Sequence, residues 1–359
     1  MAGHGFGVYV HIPFCASRCD YCAFATYSDR DHLMAGYASA LRQDIAAAVG
    51  SGTLSGATAV FFGGGTPSRL AASDLCRVLS VIPLAKDAEV TVECNPEDVS
   101  SERLGAYKSS GVTRISLGVQ SSHDHVLSSL GRHHLFDEAQ RAARLILQAG
   151  FSSWNLDLIF GAAAESDLDW RRTLERVLDL APPHVSAYAL TVERGTPLYY
   201  DGARHPQDDV LATRYEVAER TLSARGYEWE EISNWALPGH RCAYNNLIWE
   251  GGNYLGFGSA AHSHLDGHRW WNVRKPERYM ARVLCGASPM AGEEVLDPGQ
   301  RSFEAMALAL RTAQGVPQDV IGDAPDLEGL IERSAGRVRL TVRGRLLANE
   351  VAVRLCNGR

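Results

Sequence analysis

Six short apolar segments, each followed by a helical pattern, recur at fairly even spacing between residues 6 and 224. They read as strands at Phe6–Ile12, Ala57–Phe62, Glu89–Cys94, Thr113–Val119, Trp154–Phe160 and His184–Leu190. After the first, Leu33, Tyr37, Leu41, Ile45 and Val49 recur at fours, the mark of an amphipathic helix. Further helices are predicted after a cap at Ser73, from near Ser100, and over His123–Leu130 and Asp137–Ala149, the latter ended by Gly150. The last two cover Asp167–Leu180 and Asp208–Ala224. Such alternation requires a parallel sheet covered by helices, an α/β fold. Six units are too few for a closed eight-stranded barrel, so residues 1–226 are expected to form an open six-stranded partial barrel. Residues 227–295 read as an extension of strands and Gly-rich loops. Residues 296–359 read as a small winged-helix-like domain, with Val338–Thr341 and Leu346–Val353 expected as a β-hairpin.

A formal net charge of -7 implies no broad basic surface, which argues against a nucleic-acid binder and against an anionic membrane surface. Met1 to Gly7 has neither the basic nor the apolar region of a secretory signal. No apolar run approaches the roughly 20 residues of a spanning helix. The expected compartment is the cytoplasm, where thiols stay reduced and eight cysteines are better metal ligands or small core residues than disulfides. Cys76, Cys94, Cys242, Cys285 and Cys356 are scattered and are expected to be core packing.

Cys15, Cys19 and Cys22 are not scattered: they form C-x3-C-x2-C in the loop after the first strand. Three thiolates this close suit one compact cluster, and a cubane held by three of them leaves one iron open to a small molecule. Zinc would require a fourth donor, for which His11 is the nearest option, although its place in a strand need not aim it at the loop. Gly63-Gly64-Gly65-Thr66-Pro67 follows the second strand and reads as an anion-binding nest of backbone amides. Ligands of parallel α/β folds gather at the carboxyl ends of the strands. There stand Glu93 and Asn95, Gln120, Asp157 and Thr191, with Arg132 following a helix on the same face. Each has a plain alternative: a cap for Glu93, a turn for Gln120, a surface ion pair for Arg132. Asp157 is hardest to explain away, since it interrupts the apolar run Trp154–Phe160 and a buried carboxylate needs partners. It suits ribose hydroxyls, and the rim as a whole suits a zwitterionic nucleoside.

Tyr9-Val-His-Ile-Pro-Phe-Cys15, the cysteine loop, Gly63–Pro67, Ser116-Leu-Gly-Val-Gln120, Leu130-Gly-Arg132-x-His134 and Asn155-x-Asp157-Leu-Ile-x-Gly161 together resemble the oxygen-independent coproporphyrinogen III oxidase family of radical S-adenosylmethionine (SAM) proteins. The resemblance spans nearly the whole chain, to Leu340-Thr-x-x-Gly344. It implies a [4Fe–4S] cluster on Cys15, Cys19 and Cys22, and a SAM site lined by Tyr9, Tyr21, Gly64, Gly65, Thr66, Glu93, Gln120, Arg132, Asp157 and Thr191. In such proteins an electron from the cluster cleaves SAM, so an electron donor is implied as a partner.

The family has two branches. Oxidases carry a fourth cysteine two positions after the third; here that position is Phe24. Oxidases also carry an N-terminal extension, whereas this motif opens at Tyr9. Both points resemble the HemW-type haem-chaperone branch, which binds haem and passes it to an acceptor protein. Membrane contact would then come only peripherally, through that acceptor. The enzymatic alternative is decarboxylation of coproporphyrinogen III in porphyrin biosynthesis. One stretch departs from the chaperone pattern H-N-x-x-Y-W: here it is Tyr244-Asn245-Asn246-Leu247-Ile248-Trp249. Tyr244, as a tyrosinate, and His262, His264 and His268 are the alternative haem ligands.

Overall fold

The computed structural model describes residues 5–357 apart from residue 323. Met1–His4 and the side chain of Cys356 lie outside the described residues.

The six expected strands are present as β1 Phe6–Ile12, β2 Ala57–Gly64, β3 Leu84–Cys94, β4 Arg114–Gln120, β5 Ser153–Phe160 and β6 His184–Ala189. They pair in parallel in chain order, β1 to β6. Their outward residues, such as Val8, Val10, Ile12, Val90, Val92, Ile115 and Leu117, are buried under the helices. Burying this two-layer interface supplies most of the driving force for folding. The inward residues are mostly polar: Glu93, Ser116, Asp157 and Ser186 occupy alternate positions on that face. Helix ends follow local chemistry. Ser100 caps the helix Ser101–Ser109 by accepting from Arg103 N, and Ser166 with Asp169 forms a capping box for Asp167–Leu178.

The expected extension does not form a separate layer. Its strands β7 Glu228–Glu231, β8 Asn234–Ala236, β9 Asn253–Phe257, β10 His262–Leu265, β11 His268–Asn272 and β12 Met290–Val295 lengthen the same sheet at both edges. The order is β12-β11-β10-β9-β1-β2-β3-β4-β5-β6-β8-β7. β9 runs parallel to β1, with Tyr9 opposite Gly256, so the parallel part has seven strands. Short, charged segments such as Glu228–Glu231 fall below the alternation signal that reveals a longer strand.

The tail has its own core, in which Met306, Leu310, Val338, Leu340 and Val351 pack together. Its small sheet is β13 Val316–Pro317, β14 Ile331–Ser334 and β15 Arg337–Leu340, in the order β13-β15-β14. The expected hairpin is therefore displaced. β15 pairs with the upstream β14 through Ala335 and Gly336, both at positive φ, which is the two-residue turn that twisted hairpins favour. The stretch 346–353 is instead helical on either side of a turn at Leu347, in Val342–Leu346 and Ala348–Asn357. Ala348, Val351, Ala352 and Leu355 are all buried, a 3.6-residue stripe that outweighs the β preference of the valines. The cap expected at Ser73 is also corrected. Ala71 is the N-cap and Ser73 lies inside the helix Ala72–Leu79.

Candidate functional site

The strand ends and the loop after β1 enclose a cavity of about 550 Å³. Cys15, Cys19 and Cys22 line one side of it. The loop that carries them is held from several directions. Cys15 N and Tyr27 N bond across to Tyr27 O and Pro13 O, at 3.1 and 2.7 Å. Asp20 is fixed by Leu130 O, by Leu198 N and by an ion pair from Arg204 at 2.9 Å. The Arg18 guanidinium forks onto Cys22 O at 3.3 and 3.1 Å.

His11 does not face the thiols as a ligand. Its Nε2 donates to Ala25 O at 3.0 Å, and its Nδ1 accepts from the Tyr9 hydroxyl at 3.2 Å. Burial holds the imidazole neutral, with its pKa lowered to about 4. It is a strut beneath the loop. Among the described residues, no three His, Cys, Asp or Glu side chains converge on a single ion position. Cys15, Cys19 and Cys22 all border the open volume of the cavity, where thiolate ligands of a cluster would face a small molecule. Two donors already address the sulfurs: Thr66 Oγ1 to Cys15 Sγ at 3.7 Å and Arg132 Nη1 to Cys19 Sγ at 3.6 Å. The Thr66 contact opposes the burial that otherwise keeps Cys15 a thiol. The residues present therefore fit an anionic cluster with its thiolate ligands.

The Gly-rich turn has a different role from the expected nest. Gly64 N donates to Glu93 Oε2 at 3.2 Å, Gly65 N to Ile12 O at 2.8 Å and Thr66 N to Phe14 O at 2.8 Å. Its amides are consumed by the protein, so they do not form an open anion site. The glycines are required by crowding. A Cβ on Gly65 would lie 2.8 Å from Phe14 O and 2.9 Å from Ile12 O, and Gly64 sits at φ +114° against the His11 ring. The turn braces the cluster loop, while Gly64, Gly65 and Thr66 still line the cavity.

The opposite walls carry Tyr21, Glu93, Gln120, Arg132, Asp157 and Thr191. Arg132 Nη2 is aimed by Asn95 Oδ1 at 2.8 Å and Gly118 O at 3.3 Å. Gln120 adopts φ 66°, a conformation unusual outside glycine, at the β4 terminus. Glu93 is pushed up to about pH 8 by burial first and by the Asp157 charge second, with Gly64 N opposing. Asp157 is also raised, by burial, against donors from Ser116 at 2.8 Å and Asn155 at 2.8 Å. Two carboxyls in one wall, both costly to ionise, suit a cationic, hydroxyl-bearing ligand.

Tyr9 is the expected site residue that does not line the cavity. It lies one layer deeper, stacked with Phe61 and Tyr244 at centroid distances of 6.4 and 6.2 Å, with its hydroxyl bonded to His11. It precedes the end of β1 by three residues, which sets it below the rim. Ser116, His133, Tyr188 and Glu193 line the cavity without having been expected as site residues, and Cys94, expected in the core, borders it as well. Period-two counting from Asp157 and from its β6 partner Ser186 would have found Tyr188. The expected core role holds for Cys242 and for Cys94, which is buried in the main core and also borders the cavity; Cys76 packs half-buried against that core, whereas Cys285 is exposed.

The alternative haem ligands fare unequally. Tyr244 is 8 % exposed, set against Phe61 at 5.3 Å, and burial drives its phenol well above the usual range. A tyrosinate ligand at this position is thus disfavoured. His264 is committed to Gly252 O and Gly267 N, and His268 to Glu293 at 2.8 Å. His262 is exposed and stacks on Trp271 at 5.8 Å.

A partial parallel barrel with three cysteines on the loop after its first strand, facing a polar nucleoside-sized cavity, defines a radical SAM protein. The radical SAM superfamily profile matches residues 9–177. A heme chaperone HemW of Mycobacterium tuberculosis is 40% identical over 98% of this chain and 95% of its own length. The Escherichia coli heme chaperone HemW is 33% identical over 96% of each. Among solved structures, coproporphyrinogen III oxidase (HemN) from Escherichia coli superimposes with a TM-score of 0.84, covering 98% of this chain and 90% of that one, at 20% identity. That likeness establishes the shared fold. The chain belongs to the HemW family of haem chaperones within the radical SAM superfamily.

Proposed function

We propose that this protein is a haem chaperone: it binds haem, carries a [4Fe–4S] cluster with exchangeable SAM, and delivers haem to an acceptor protein. The observation that carries this reading is Phe24. It stands at the cavity wall, 69 % exposed, where the oxidase branch has its fourth cysteine. Full-length similarity to proteins named heme chaperones supports the same branch.

Cys15, Cys19 and Cys22 would hold the cluster, which when bound supplies one-electron chemistry. The chain's own residues then orient the nucleoside. Asp157 accepts ribose hydroxyls, Glu93 faces a cationic group, Arg132 offers its guanidinium to the anionic side, and Gln120, Tyr21 and Thr191 close the walls. For haem, the exposed imidazole of His262, stacked on the Trp271 ring, would offer a nitrogen ligand beside an apolar face. A cytoplasmic location and a reductant complete the reading. Among the described residues no helix is long and apolar enough to cross a membrane.

The test is anaerobic haem titration of the cluster-reconstituted protein, wild type and His262→Ala, beside an assay of coproporphyrinogen III conversion with SAM and reductant. Stoichiometric haem binding without conversion is expected, with a displaced Soret band in His262→Ala. Conversion without stable haem binding would establish the oxidase instead.

A further inference from the structure

Beneath Asp157 a chain of buried polar side chains runs away from the cavity. Asn155 Nδ2 donates to Asp157 Oδ1 at 2.8 Å, and lies 2.8 Å from Ser186 Oγ and 2.9 Å from Ser116 Oγ. With its amide nitrogen facing these oxygens, Asn155 turns Oδ1 to His184 Nδ1 at 2.6 Å. An amide oxygen only accepts, so His184 carries its proton on Nδ1. His184 is 1 % exposed, and burial together with the charge of Arg114 holds it far below its ordinary pKa, hence neutral. Its Nε2 is therefore bare and must accept from Glu230 Oε2, 2.9 Å away. Glu230, 2 % exposed, must then be the protonated partner, and burial raises its pKa to about 7. The other oxygen of Glu230 accepts from Cys242 N at 3.1 Å, at the N-cap of the helix Ala243–Trp249. Ser186 also donates to Asn234 Oδ1 of β8 at 2.6 Å.

We propose that His184 and Glu230 are positioning residues for Asp157: through Asn155 they fix the orientation of the carboxylate that faces the cavity, and so tie ligand binding there to the segment that begins at Cys242. This rests on the reading of Asp157 as a SAM-binding residue. The logic is directional. If His184 offered a bare Nδ1, Asn155 would flip, and its oxygen would face Asp157 with two acceptors opposed. Glu230 sets the direction because it is the terminal donor. Arg114 and Arg241 supply the positive charge around the pair, and Glu89 the nearby negative charge, with Glu89 itself accepting from Ala243 N at 2.8 Å.

The experiment measures SAM affinity by calorimetry on the cluster-reconstituted protein, with iron content and thermal midpoint as folding controls. Glu230→Gln keeps a donor for His184 and an acceptor for Cys242 N; affinity within about twofold of wild type is expected. Glu230→Met removes both, and a loss of about tenfold is expected, the scale of a buried hydrogen-bond chain left unsatisfied. In an Asp157→Ala background Glu230→Met should have no further effect, which a merely structural role would not produce. His184→Ala is read in the same two backgrounds and replaces Glu230→Met if that variant does not fold. Equal losses in both backgrounds would overturn the proposal, as would a Glu230→Gln variant as weak as Glu230→Met. Undiminished affinity in Glu230→Met alongside a weakened Asp157→Ala would overturn it while leaving the SAM site intact. Undiminished affinity in Asp157→Ala would remove Asp157 from the SAM site and the proposal with it.

Discussion

Glu93 is a carboxyl that the fold keeps protonated well beyond its ordinary range, from 4.5 to about 8. Between those values the native chain holds a proton that the unfolded chain has released. Raising pH through that window therefore destabilises the ligand-free protein. The thermal midpoint of wild type is expected to fall from about pH 5 to about pH 8, and Glu93→Gln should flatten that slope. A slope identical in the variant would show that the group is ionised throughout. The thiols obey related physics. Burial pushes Cys15 up to about 11, so the empty loop holds a thiol and metal binding must displace the proton. Cys19→Ala removes the sulfur that Arg132 addresses, and it should abolish the absorbance and the iron content of a 4Fe cluster after anaerobic reconstitution. Retention of a full cluster would sink the ligand assignment. The thiols, Glu93 and Asp157 were legible because each breaks the pattern of an apolar strand or sits in a tight spacing. Tyr188 and Cys94 were not, since a lone aromatic or cysteine in a strand is ordinarily core. Glu230 and His184 were hidden for another reason: 46 residues separate them, and only the topology brings them together.

At the scale of elements, the turn after β2 carries the sharpest consequence. Gly65→Ala must displace either Ile12 O at the end of β1 or Phe14 O just beyond it, both backbone atoms of the segment that leads into the cluster loop. A loss of roughly 1–3 kcal/mol in unfolding free energy is expected, together with weaker cluster retention. Chemical denaturation and iron analysis check the two separately. An unchanged protein would show that the loop has slack. The long parallel strands were legible in the sequence because each buries a continuous apolar face under helices. The extension strands were not: β8 has three residues and β7 is acidic, so pairing partners define them more than composition does. The tail shows the same competition in reverse, where valines that favour strands are overruled by a helical stripe facing Met306 and Leu310.

Across the whole molecule, the α/β class and the open parallel sheet followed from periodicity alone, whereas its extension to twelve strands did not. The reason is that β9 returns to the edge of β1 from more than 240 positions away, and no local pattern records such a pairing. This return also brings Gly258 against the backbone of His11, so that a Cβ there would meet His11 O at 2.6 Å. A ribosome delivers β1 first and β9 only when most of the chain has been made. Until then the strand leading into the three cysteines has one open edge, ready to pair with whatever strand arrives, and contacts of such span close slowly. The thiol loop is thus made well before the partner that closes the second edge of the strand leading into it. Cells making this protein in air are expected to face a long interval in which its cysteines are available to oxidants, and loading of iron and sulfide after release from the ribosome is the order that the topology favours.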